Sequence, residues 1–157
     1  MNSSEIRTLA AKLQIKDFLG TFAIDQLRHI DSKTLGTLIF NTDLAKEWGT
    51  HWIAIQITKK NLHIFDPVGY QNFNLSSDHL NKFLLKFKQH VFINRIQIQT
   101  YISDKCGVHC ILFCYIMSLR KHNISYKFFL SQFNLPTVNE RENLALDLFS
   151  DIYKNNV

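Results

Sequence analysis

The chain has 157 residues, 46% of them hydrophobic, with thirteen phenylalanines and a net charge of +5 at pH 7. That is enough apolar material for one sizeable core in a single domain, 1–157, and it excludes a disordered chain. Three cysteines, all between Cys106 and Cys114, are poor material for a disulfide framework and point to a reducing compartment.

The opening SSEIRTLAAKLQ sets Ile6, Leu9, Ala10 and Leu13 at helical spacing behind serines, which predicts a capped amphipathic helix. TLGTLIFNT, residues 34–42, fits a short helix and a strand equally well. HWIAIQIT alternates Ile53, Ile55 and Ile57 with Ala54, Gln56 and Thr58, and NLHIF resumes after Lys59 and Lys60, so two adjacent strands are expected. DPVGY, Asp66 to Tyr70, ends the second strand with turn residues.

A helix is predicted next: SSDHLNKFLLKFKQHV, capped at Ser76 and Ser77, aligns Leu80, Phe83, Leu84, Phe87 and Val91, with Lys82 and Lys86 on the other side. FINRIQIQTY alternates Ile96 and Ile98 with Gln97 and Gln99 and reads as a strand with both glutamines on one face. Cys106 to Arg120 reads as a buried helix, and two capped helices follow, the last opened by a Thr137–Glu140 capping box. The fold class is α+β, with a central mixed β-sheet flanked by helices. The longest apolar run, Cys110 to Met117, is too short to span a bilayer, and MNSSEIRTLA lacks the apolar stretch of a secretory leader; a soluble intracellular protein is expected.

Charge is uneven. From His79 to Lys127 there are eight Lys or Arg, among them Lys82, Lys86 and Lys88, against one acid, Asp104. Such a half can meet a polyanion, or it can simply solvate helix faces.

On a helix, Cys106, Cys110 and Cys114 share one stripe, and three thiolates on one straight stripe cannot close a tetrahedron around zinc without ligands from elsewhere. Cys110 and Cys114, inside the apolar run, read as small core residues. Cys106 differs. It follows polar Ser-Asp-Lys and precedes Gly107, at a helix entrance where unpaired amides and the dipole favour a thiolate.

A nucleophilic cysteine needs a base, a group to orient the base, and donors for an oxyanion. His51 in GTHWIAI opens a strand directly behind Gly49-Thr50, and Asp66 ends the neighbouring one, where a carboxylate can fix the imidazole tautomer. Gln99 or Gln97, together with the backbone amide of Cys106, can serve the oxyanion.

At these residues the chain resembles the adenovirus-type maturation cysteine proteases, the adenain group of the larger clan that includes the SUMO-specific proteases. The resemblance runs through Ser3–Glu5, FLGTF at Phe18–Phe22, IFNT at Ile39–Thr42, GTHWIAI, IFDPVGY and CGVHC, in the family's order, up to about Ile116. It implies a papain-like fold in which His51 is the base, Asp66 its partner and Cys106 the nucleophile. It also implies that Gln99, by spacing preferred to Gln97, lines the oxyanion hole, and that Trp52 and Gly49 face substrate. The Pro67 of FDPVG looks like the adenoviral branch, which places viral maturation ahead of deconjugation of a ubiquitin-like protein. Compactness suggests a virophage or Polinton-like element.

The resemblance therefore implies a monomeric thiol endopeptidase that cleaves capsid or other virion precursors, in the virion and the host-cell interior. It needs no metal or organic cofactor, and DNA, held through Lys82, Lys86 and Lys88, is expected as a partner that can stimulate it. A non-catalytic basic nucleic-acid-binding module is the remaining alternative. No cysteine precedes Cys106, so an activating peptide disulfide-linked upstream of the nucleophile has no attachment point.

Overall fold

The computed structural model of the protein describes residues 1–69, 77–119 and 125–157. Tyr70, Ser76 and Arg120, named above, lie outside the described residues. Among the described residues five strands form one sheet: β1 (Phe18–Ala23), β2 (Gly36–Asn41), β3 (Trp52–Ile57), β4 (Asn61–Phe65) and β5 (His90–Ile93), hydrogen-bonded in that order. β1 runs parallel to β2 and β4 parallel to β5, while β3 runs antiparallel to both of its neighbours, β2 and β4, so the sheet is mixed as expected.

The central strand β3 is covered on both faces, and its alternation sorts the two cores. Ile53, Ile55 and Ile57 join Leu38, Phe40, Leu62 and Ile64 against the 3-10 helix Ile24–His29 and helix α2 (Asp78–Leu84). Trp52 and Ala54 face the other way, onto α3 (Cys106–Ser118) with α1 (Ser3–Lys12), α4 (Tyr126–Ser131) and α5 (Val138–Asn156) packed around it. Phe65, Phe113 and Phe129 meet there with ring centroids 5.0 to 5.4 Å apart, fixing β4, α3 and α4 to one another.

Several expectations change. The ambiguous 34–42 segment contains strand β2, buried throughout, which leaves no exposed face for a helix to present. The helix after residue 76 stops at Leu84, and His90–Ile93 becomes strand β5 because its backbone pairs with β4, a tertiary partner that outweighs helical periodicity. The expected strand through Ile96–Gln99 is a loop: the amides of Ile98 and Gln99 go to the Pro67 carbonyl, and the carbonyls of Ile96, Gln97 and Gln99 accept from the side chains of Asn94, Arg141 and Gln97 instead of a ladder. The cap of α1 is Asn2, not a serine; its side chain accepts from the amides of Ser4 and Glu5.

Candidate active site

The β3–β4 hairpin brings its open ends together, and the residues just outside each strand meet. His51 Nε2 donates to Asp66 Oδ1 at 2.8 Å. Asp66 is fully buried, and the same oxygen accepts the Val68 amide at 3.0 Å, so the carboxylate is held by its own turn. Buried Asn94 grips the Asp66 backbone on both sides, accepting its N–H at 2.8 Å and donating to its carbonyl at 2.7 Å. Asn94 was not among the expected residues, because an asparagine at a strand end ordinarily reads as a turn residue.

Cys106 opens α3 directly beneath this pair, within hydrogen-bonding reach of the His51 ring and of the Trp52 backbone. Asp66 occupies Nε2, so Nδ1 is the nitrogen left for the thiol. Burial pulls the His51 pKa down, but the bond to Asp66 and the neighbouring Cys106 outweigh it and raise it to about 9. For Cys106 burial pushes the thiol up, yet His51 and the Trp52 and Gly107 backbones win and hold it below its ordinary value. Both shifts favour the charged pair, imidazolium beside thiolate, over the neutral one. No side chain caps α3 at Lys105, which leaves first-turn amides open to negative charge.

Gln97 and Gln99 lie in the loop between β5 and α3. Gln99 is buried and donates one amide hydrogen to the Ser103 carbonyl at 2.6 Å, which leaves a second hydrogen on the same nitrogen. The Gln97 amide donates to the Gln99 carbonyl at 2.9 Å and braces the loop from within. The amides of Ile98 and Gln99 both reach the Pro67 carbonyl at 2.8 Å, which docks this loop onto the Asp66 turn. Gly69 makes that docking possible. Its φ is +81°, and a Cβ there would lie 3.2 Å from the Arg95 carbonyl oxygen and the Gln97 amide nitrogen.

Gly49 and Trp52 border a groove of about 350 Å³ that also takes in Met1, Phe22, Asn41 and Trp48. Gly49 has φ +75°, and a Cβ would meet the Asn41 amide nitrogen at 2.6 Å, so a side chain is excluded at this edge of the groove. Trp52 is itself buried, and its indole N–H donates to the Met1 carbonyl at 2.9 Å. It offers the groove a wall and no polar handle.

The model of the adenovirus endoprotease family matches residues 18–138, a span that contains His51, Asp66, Gln99 and Cys106. The chain belongs to the adenovirus endoprotease family. It is 27% identical over 149 residues to the protease of ovine adenovirus D serotype 7, covering 87% of this chain and 74% of that one. To the protease of bovine adenovirus 7 it is 28% identical over 136 residues, 78% of this chain and 67% of that one. In three dimensions the central domain of the uncharacterized Lpg1148 protein of Legionella pneumophila superposes with a TM-score of 0.52 at 14% identity, covering 99% of this chain and 96% of that domain. This family member is a viral cysteine protease, and its sheet end gathers a thiol, an imidazole and a carboxylate in the order that acyl transfer through sulfur requires.

The expected basic cluster is partly regrouped in this protease. Lys86 lies beyond the end of α2, where its ammonium donates to the Arg28 carbonyl, so it does not stack one turn from Lys82 on a helix. Instead Lys86 and Lys88 line a groove of about 490 Å³ with Lys59, Lys60 and His90, and Lys82 is outside its lining. Lys59 and Lys60 form the closed end of the β3–β4 hairpin, so this groove sits roughly 20 Å from His51, the length of β3 at about 3.3 Å per residue.

Proposed function

We propose that Cys106, His51, Asp66 and Gln99 carry out peptide-bond cleavage in capsid or other virion precursors during particle maturation, in the virion and the infected-cell interior. The observation that carries the reading is the lowered thiol of Cys106 beside a His51 raised to about 9 and tied to buried Asp66 at 2.8 Å. The Cys106 thiolate attacks the scissile carbonyl carbon and the electron pair moves to oxygen. The Gln99 amide and the Cys106 backbone N–H hold that oxyanion. The His51 imidazolium gives its proton to the leaving amine, and a thioester remains. Water, relieved of a proton by His51, then attacks the thioester and releases the acid. Nucleophile, acid and oxyanion donors all belong to the chain, so the steps call for no metal or organic cofactor. Gly49, with no side chain, and the wall of Trp52 suit a substrate backbone with small residues at the cut.

Non-specific DNA is the proposed partner, supported by the groove of Lys59, Lys60, Lys86, Lys88 and His90. A polymer held about 20 Å from the cleft leaves the cleft open and keeps enzyme and substrate on one track. The reading is tested by co-expression with the candidate capsid precursor, with and without Cys106→Ala, and with a ubiquitin-like precursor as the rival substrate. Processing of the capsid precursor by the parent protein alone is expected. Processing only of the ubiquitin-like precursor, or equal processing with Cys106→Ala, overturns it.

A further inference from the structure

The C-terminal helix α5, which begins at Val138 where the family match ends, touches the loop that carries Gln99 through two adjacent side chains. The Arg141 guanidinium donates to the Gln97 carbonyl at 2.8 Å, and its other bonds go back to the start of its own helix, to the carbonyls of Pro136 and Thr137. The Glu142 carboxylate accepts the Thr100 amide at 3.0 Å. The hydroxyls of Thr100 and Ser103 also reach Glu142, and Ser103 is the residue whose carbonyl takes the Gln99 side-chain amide. Gln99 is thus bracketed from both sides by groups that belong to α5.

Glu142 is buried at 7% exposure, and its second oxygen lies 3.6 Å from Nε2 of His109, a fully buried histidine one turn beyond Cys106 on α3. A carboxylate out of water is costly unless satisfied, and here the satisfying donor comes from the Gln99 loop, while the oxygen turned toward His109 has no hydrogen-bond partner among the described residues. The loop has no ladder of its own to hold it, so its position is set by whichever groups take its backbone N–H and C=O. We propose that Arg141 and Glu142 are positioning residues for catalysis: they clamp residues 97–103 so that the Gln99 amide is held against the oxyanion. This rests on the reading of Gln99 as an oxyanion donor.

The test compares Glu142→Ala, Glu142→Gln, Arg141→Met, Gln99→Ala and the Gln99→Ala/Glu142→Ala double variant. Four quantities are read: kcat and KM on a fluorogenic Gly-Gly peptide, inhibition by the matching peptide glycinal, alkylation of Cys106 by iodoacetamide, and thermal melting. The glycinal forms a tetrahedral adduct that uses the oxyanion donors, whereas alkylation needs only the thiolate. Glu142→Ala is expected to lower kcat by about ten- to a hundredfold, the scale of a misplaced catalytic group, and to weaken glycinal binding in parallel. KM and the alkylation rate stay at the parent values. Glu142→Gln, which keeps an acceptor for the Thr100 amide, restores part of the loss, and the double variant is no slower than Gln99→Ala alone.

Arg141, half-buried, serves if Glu142→Ala does not fold. A lower melting temperature with parental kcat and glycinal affinity in both Glu142→Ala and Arg141→Met overturns the clamp. So does a double variant whose losses multiply. If Gln99→Ala itself keeps the parental kcat, the oxyanion reading falls and the clamp falls with it. If Gln99→Ala is slow while Glu142→Ala and Arg141→Met are not, only the clamp falls.

Discussion

The first turn of α3 and the two turns after it carry the same residue in the same stripe, yet the protein makes different thiols of them. Cys106 meets an imidazole, the Trp52 and Gly107 backbones and a helix end without a side-chain cap, and its thiol is lowered. Cys110 lies fully buried against the Trp52 carbonyl at 3.3 Å, and burial pushes it well above its ordinary value. Cys114 meets the same dehydration and is pushed up to about 12. Helical position within the stripe hardly distinguishes them. Solvation and a positive partner do, and both come from the hairpin packed above the helix entrance.

The sharpest break of this comparison is substitution. Cys106→Ala is expected to lower cleavage by about ten-thousandfold or more while melting stays near the parent, because a nucleophile is removed and little packing is. Cys114→Ala should do the opposite, costing about 1 kcal/mol of stability and leaving kcat intact. Comparable kcat losses in the two variants, measured beside thermal melts, would erase the distinction.

Next in size is the oxyanion donor. Gln99→Ala is expected to slow turnover by about a hundredfold or more. Gln97→Ala removes a brace on the Gln99 carbonyl and should cost clearly less, so reversed magnitudes would move the donor role by two residues.

The charge state supplies a third measure. Thiolate and imidazolium coexist only above the lowered pKa of Cys106 and below the raised pKa of His51, so activity and Cys106 alkylation should hold a plateau and activity should fall as pH rises through about 9. Asp66→Asn keeps an acceptor but removes the negative charge that helps raise His51, which should bring that alkaline limb to lower pH, whereas Cys110 and Cys114 stay unreactive across the range. An alkaline limb unmoved in Asp66→Asn would detach the carboxylate from the histidine.

The smallest expected effect contrasts the two ends of the β3–β4 hairpin. Lys86→Gln with Lys88→Gln should flatten the salt dependence of DNA binding by about 0.9 in log–log slope for each phosphate no longer neutralised, with Lys82→Gln doing less and peptide cleavage without DNA unchanged in all. Retention on DNA that ignores salt would leave the groove a solvated surface.

Much of the site was legible because its signals are local. Gly-Thr-His-Trp before an alternating run, Asp-Pro-x-Gly after the next, and Cys-Gly at the polar edge of an apolar helix each declare a strand or helix end, and ends are where side chains escape the ladder. The loop at Ile96–Gln99 was misread because alternation alone cannot say whether a strand partner exists, and here the Pro67 carbonyl and α5 take its backbone groups instead. Asn94, Arg141 and Glu142 were invisible for a related reason: a polar residue that holds a distant backbone carries no periodic signature in its own segment.

Local patterning was enough to define which segments are apolar on which face, and therefore the β3–β4 hairpin, the buried helix α3, the capping box of α5 and the ordering of histidine, aspartate and cysteine along the chain. Long-range packing was needed to establish that β5 replaces the end of a helix, that Lys86 and Lys88 join Lys59 and Lys60 in place of Lys82, and that α5 closes on the loop of Gln99. Periodicity records how a segment meets water. Pairing of backbone groups and burial of charge depend on partners from 28 to 58 residues away, as between Asp66 and Asn94 or Arg28 and Lys86, and those separations are bridged only when the whole sheet has formed.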